Sequence, residues 1–144
     1  MANSWILAGT LFGMHICLAG PASFATSEQM LQYLTKYDLP ATFEHQADPV
    51  VAARDADVLY TDVWVSMGCE QESEERKRVL SPYQVTANIL QAAKPDALFM
   101  HCMPTHPGEE VSRSVLASPQ ANLFDQAENR LNIQKAILRQ LTQS

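Results

Sequence analysis

Basic residues are scarce in this chain: Lys and Arg number 10 against 16 Asp and Glu, a net charge of −6. That balance argues against nucleic acid or an anionic membrane as the main partner. Cysteine is sparse too, with three residues (Cys17, Cys69, Cys102) and no CxxC spacing. An odd, scattered set fits a reduced compartment such as the cytoplasm better than a disulfide framework. Eight prolines and five glycines do not suggest a low-complexity chain. No segment reaches the ~20 uninterrupted apolar residues of a membrane span. The first residues, Met1 to Gly9, lack a basic leading region and do not read as a secretory signal.

What is present is enough for a core: 144 residues, 47% of them hydrophobic, a length that suits one domain. Apolar spacing predicts a helix over 3–12, stopped by Gly13, then a strand over 15–19. Thr26 with Gln29 forms a capping box for a helix to Tyr37, and Leu39-Pro40 ends it. A strand follows over 41–45. Asp48-Pro49 supplies an N-cap and first turn for a short helix. Residues 57–64 form a near-continuous apolar strand, expected to be buried on both faces. The charged run 70–80 places acids first and bases last, as a helix dipole favours, and reads as a solvated face. Further helices are expected over 83–93, 109–117 and 125–141, with strands over 97–101 and 122–124. Such alternation is the signature of a parallel sheet with helices on both faces. Its strand-to-helix loops would share one rim.

Two strand ends carry reactive groups. The run Ala97-Leu-Phe-Met-His101 ends in Cys102-Met103-Pro104, and the strand before it ends at Asp62-Val-Trp64 and then Val65-Ser66-Met67-Gly68. Loops at the carboxyl edge of an open α/β sheet are where ligands bind. Asp62 late in an apolar strand needs a cation or several N–H donors. A substrate ammonium would serve, and so would a local turn. Cys102 invites a nucleophile reading, set against the inert packing of most buried cysteines. His101 is poorly placed as its base, because adjacent strand side chains point to opposite faces. A zinc site from His101, Cys102 and His106 lacks established ligand spacing. Arg130 offers a fork for phosphate or carboxylate, or a surface ion pair with Glu128. Glu109 and Glu110 read as favouring a helix start.

Taken in order, Asp62-Val-Trp-Val-Ser-Met-Gly68, Tyr83-Gln-Val, His101-Cys-Met-Pro104, Glu109-Glu110-Val111 and Phe124-Asp-Gln-Ala-Glu-Asn-Arg130 resemble ornithine carbamoyltransferase. The match covers almost the whole chain, and the Ser-Met-Gly loop separates ornithine enzymes from aspartate and putrescine members of the superfamily. The resemblance implies a three-layer Rossmann-like parallel sheet, residues 1–144 being the carboxyl-terminal ornithine-binding domain. It implies carbamoyl transfer from carbamoyl phosphate to L-ornithine, giving L-citrulline and phosphate in arginine biosynthesis. Asp62 would bind the ornithine α-amino group, and Ser66 and Met67 its amino-acid end from a closing loop. Cys102, with Met103, would place the δ-amine and help deprotonate it, without a covalent intermediate. Cys102, Met103 and Arg130 would contact carbamoyl phosphate. The Met103-Pro104 bond would be cis. No metal or organic cofactor is implied.

There are departures from the family pattern. Met103 stands where Leu is usual, and Cys69 where Gln is usual. The family's amino-terminal carbamoyl-phosphate domain, with Ser-Thr-Arg-Thr and His-Pro-Cys-Gln, is expected to be absent. So is the first strand of the ornithine domain, which would leave an open groove in the sheet. The final helix would then expose an apolar face, and most contacts of the family's homotrimer would be missing. The expectation is a truncated or split enzyme, inactive alone, that uses a separate amino-terminal half as partner. The alternative is a non-catalytic amino-acid-binding or interaction module derived from this domain. A cysteine hydrolase is a third class and needs a base beside Cys102.

Overall fold

The computed structural model describes residues 1–40, 43–65, 71 and 73–143. The chain is α/β, and the four strands among the described residues pair in parallel. Strand β1 (Ile16–Ala19) pairs with β2 (Phe43–Gln46), and β3 (Val58–Thr61) with β4 (Leu98–His101). The α-helices of the described residues connect and cover them: α1 (Ala2–Phe12), α2 (Glu28–Lys36), α3 (Pro49–Ala53), α4 (Ser73–Leu80), α5 (Ala87–Ala92), α6 (Arg113–Leu116) and α7 (Leu123–Thr142).

The two pairs are separate: no described strand joins β1 or β2 to β3 or β4. A sheet short of one strand has this form. Helix α1 reaches both pairs. Its Gly9 lies so close to β1 that an added Cβ would stand 2.5 Å from Ile16 Cγ1. Its Trp5 meets Tyr60 of β3 edge-on, with ring centroids 4.9 Å apart. The expectation that residues 57–64 are buried on both faces is corrected by their exposure, since none of them is fully buried. The strand stops at Thr61, and Val58 at its start is 42% exposed.

The core gathers on β4. Phe99, Val111 and Val115 are wholly buried, packed with Ala53, Val85, Ile89, Leu90 and Leu123. Each large apolar side chain so buried contributes about 1.5–3 kcal/mol. The outer edge of β4 is satisfied by the irregular backbone of residues 120–122 and by one side chain of α7. Phe99 N–H donates to Gln120 O, Asn122 N–H to Phe99 O, and His101 N–H to Gln126 Oε1. The expected strand over 122–124 is thus one bridge at Ala121, and Leu123 already begins α7.

Local signals set most boundaries. Asp48 Oδ1 accepts the Val50 and Val51 N–H groups, with Pro49 in the first turn of α3. Gly13 closes α1 at φ 67°, in the left-handed region. The expected capping box is replaced by a simple N-cap one residue later: Ser27 caps α2 by accepting Met30 N–H, while Thr26 Oγ1 has no partner. The helix expected over 83–93 is a 3-10 turn (Ser81–Tyr83) followed by α5. The one over 109–117 shortens to α6, capped by Ser112. Beyond its first turn α7 leaves the body, with Leu131, Ile133, Leu138 and Leu141 each at least 59% exposed.

Candidate functional site

Strands β3 and β4 run in register, Thr61 opposite His101, so the next residues of each leave the sheet together. Those residues are Asp62 and Cys102. The Cys102 thiol donates to Asp62 Oδ1 across 2.8 Å. The same oxygen accepts Val63 N–H at 2.8 Å. Asp62 Oδ2 lies 3.8 Å from the Met1 α-ammonium, so a primary ammonium stands against this carboxylate. The local reading of Asp62 is the one this geometry bears on: one oxygen holds the turn through Val63 N–H and the Cys102 thiol.

The thiol is held protonated. Burial pushes its pKa up first, and the hydrogen bond to Asp62 adds to this. Tyr60 on β3 is the sulfur's other neighbour, and burial with the adjacent Cys102 raises its phenol as well. A nucleophilic cysteine requires the opposite environment, with a cation or base that favours thiolate. His101 does not supply one. Its Nδ1 accepts Met103 N–H at 2.8 Å, and its Nε2 faces Glu110 Oε1 at 3.4 Å. Among the described residues the sulfur's hydrogen-bonded base is a carboxylate, Asp62, which raises the thiol pKa and so does not favour the thiolate that a cysteine hydrolase needs.

Met103 follows at φ 58°, in the left-handed region, and the Met103–Pro104 peptide is cis. Met103 is partly exposed at the mouth of the site. Ser66 and Met67, expected on the closing loop, lie outside the described residues, as does Cys69. Arg130 stands on the exposed part of α7, and no hydrogen bond or ion pair joins it to another described residue. The structure thus unites Asp62, Cys102 and Met103 and records no bond between them and Arg130.

The zinc combination of His101, Cys102 and His106 is not assembled, since His101 turns away from the thiol. The ligand atoms of His106, Glu109 and Glu110 do come within 4.8 Å of one another. Glu109 there already holds Lys77 at 2.7 Å, and Glu110 Oε1 accepts His106 N–H at 2.6 Å. Glu110 is the residue that sequence reasoning misjudged. It is fully buried ahead of α6, not at a helix start. Its backbone carbonyl accepts Val85 N–H, which ties it into the core. The available signal was Ser112, a better N-cap than anything near Glu109.

Comparison with known proteins places this chain in a family. Residues 1–141 match the model for the aspartate/ornithine carbamoyltransferase Asp/Orn-binding domain. The anabolic ornithine carbamoyltransferase of Pyrococcus furiosus is 45% identical over 140 residues, 96% of this chain and 44% of that protein. The ornithine carbamoyltransferase of Methanoculleus marisnigri is 46% identical over 138 residues, again covering 96% of this chain and 44% of that protein. Among solved structures, the anabolic enzyme of Campylobacter jejuni superposes with a TM-score of 0.89 at 32% identity, over 99% of this chain and 48% of that one. The Pyrococcus furiosus structure superposes with a TM-score of 0.83, covering 96% of this chain and 45% of that one. The chain spans under half the length of the curated relatives it matches.

Proposed function

This chain belongs to the aspartate/ornithine carbamoyltransferase family, through its Asp/Orn-binding domain, and from that premise we propose that it is the ornithine-binding half of an ornithine carbamoyltransferase. The reaction is transfer of a carbamoyl group from carbamoyl phosphate to the δ-amine of L-ornithine, a step in arginine biosynthesis. The observation that carries this reading is the 2.8 Å contact between Cys102 Sγ and Asp62 Oδ1 at two adjacent strand ends. A carboxylate and a neutral thiol set side by side suit a substrate with two amines. Asp62 holds the charged α-ammonium, and Cys102 accepts a hydrogen bond from the δ-amine and guides it to the carbamoyl carbon.

In this reading the chemistry is positioning and charge stabilisation, with no covalent enzyme intermediate. The protonated state of Cys102 supports that assignment. Met103 contributes backbone groups beside the reacting carbon, Ser66 and Met67 cover the amino-acid end, and Arg130 meets the phosphate. The exposed apolar face of α7 supports a further protein surface in the working enzyme, supplied by an amino-terminal half. No helix among the described residues is long and apolar enough to cross a membrane.

The test is to titrate L-ornithine into the purified chain and then assay citrulline with and without the separately expressed amino-terminal half of a relative. The expected result is ornithine binding by the chain and citrulline only in the mixture. Binding with no citrulline in any mixture would favour a non-catalytic amino-acid-binding module. Citrulline from the chain alone would refute the split-enzyme reading.

A further inference from the structure

We propose that Glu110 is a positioning residue for the Cys102–Met103 corner and acts through His101; the proposal rests on reading that corner as the substrate site. The buried carboxylate holds one end of the segment 101–106 and faces the other. At the far end, Glu110 Oε1 accepts His106 N–H at 2.6 Å. At the near end, the same oxygen lies 3.4 Å from His101 Nε2, close enough for an electrostatic contact but without closing a hydrogen bond, and both side chains are fully buried.

His101 converts that contact into backbone geometry. Its Nδ1 accepts Met103 N–H at 2.8 Å, so Nδ1 carries no proton. In a neutral imidazole the proton then sits on Nε2, the nitrogen that Glu110 faces. The carboxylate therefore selects the tautomer able to hold Met103. That grip matters because Met103 sits at φ 58°, a conformation that residues other than glycine adopt only when their surroundings impose it. Cys102 lies between the two anchored residues, so the direction of its thiol depends on the same clip. Glu110 stays ionised there: burial raises its pKa, but His101 and the His106 N–H outweigh that and lower it. The arrangement is a carboxylate orienting an imidazole that in turn orients the site, one step removed from substrate.

The experiment needs no substrate. Nitrogen NMR of the histidine-labelled chain reports the His101 tautomer, and peptide-resolved iodoacetamide labelling reports Cys102 against Cys17 in the same sample. In the unmodified chain, His101 is expected to show a bare Nδ1 and a protonated Nε2. In Glu110→Ala, the two nitrogen signals should move toward averaged values, and Cys102 labelling should rise at least tenfold with Cys17 unchanged. Glu110→Gln keeps the shape and one acceptor but not the charge, and is expected to raise Cys102 labelling about threefold. A protonated Nδ1 in the unmodified chain would overturn the proposal. So would a Glu110→Gln chain identical to the parent in both readouts, or equal rises at Cys17 and Cys102, which would mean general loosening. Failure of ornithine to bind would sink the functional reading without touching these signals.

Discussion

Cys102 and Asp62 meet tip to tip, thiol hydrogen to carboxylate oxygen, across 2.8 Å. Neither group is unusual alone. Their pairing follows from the register of β3 against β4, which aligns Thr61 with His101 and so brings the next residue of each strand out together.

The pairing makes a prediction about affinity and reactivity together. Asp62→Asn removes the charge that would hold the α-ammonium, at a cost of about 1.5–3 kcal/mol, or roughly 10- to 150-fold in ornithine affinity. The same change removes one of the two main influences raising the Cys102 pKa. Calorimetry should therefore show weaker ornithine binding while alkylation of Cys102 at neutral pH becomes faster. Weaker binding with unchanged thiol reactivity would separate the two residues.

A second prediction concerns alkaline pH. Burial, with Glu44 adding to it, lifts the Cys17 thiol from 9.0 to about 11. The folded-state pKa is the higher one, so the contribution to stability is complete below pH 9.0 and is lost as the pH climbs to about 11. Thermal unfolding of the native chain should weaken across that window, and Cys17→Ser should flatten the decline. An equal slope in the variant would assign the alkaline loss to other groups.

Much of this architecture could be read from residue order, and the reasons differ by position. Asp48-Pro49 and Gly13 act on their own backbone within a turn, so local chemistry decides them and they stand where expected. Ser27 displaced Thr26 because both are good caps, and only the direction of the entering chain selects between them. Residues 122–124 looked like a strand because Leu123 and Phe124 are apolar, but Leu123 serves the core from a helix and Phe124 is 81% exposed. Glu110 escaped notice for a stronger reason. A buried carboxylate depends on partners, and His101, nine residues earlier, becomes its neighbour only once β4 and the loop are folded. Asp62 and Cys102 were legible as a pair because parallel strands in sequence order deliver their ends to one edge.

A third prediction tests how tightly α1 is seated on β1. Gly9→Ala would gain up to about 1 kcal/mol of helix propensity. It would also drive a methyl group to 2.5 Å from Ile16 Cγ1, which forces helix and strand apart. Overpacking of this kind costs about 1–3 kcal/mol. The midpoint of urea unfolding should fall, and a rise would show that α1 can shift freely over the strand.

The central claim is that the Asp62 carboxylate and the Cys102 thiol receive the two ends of one diamino acid. Its most direct measurement is protection of Cys102 from iodoacetamide by L-ornithine, followed by peptide mass spectrometry, in the parent chain and in Asp62→Asn. The account predicts that saturating ornithine slows Cys102 labelling several-fold while leaving Cys17 unchanged, and that Asp62→Asn needs at least tenfold more ornithine for the same protection. Labelling of Cys102 that ornithine does not slow, or protection that survives Asp62→Asn undiminished, would contradict it.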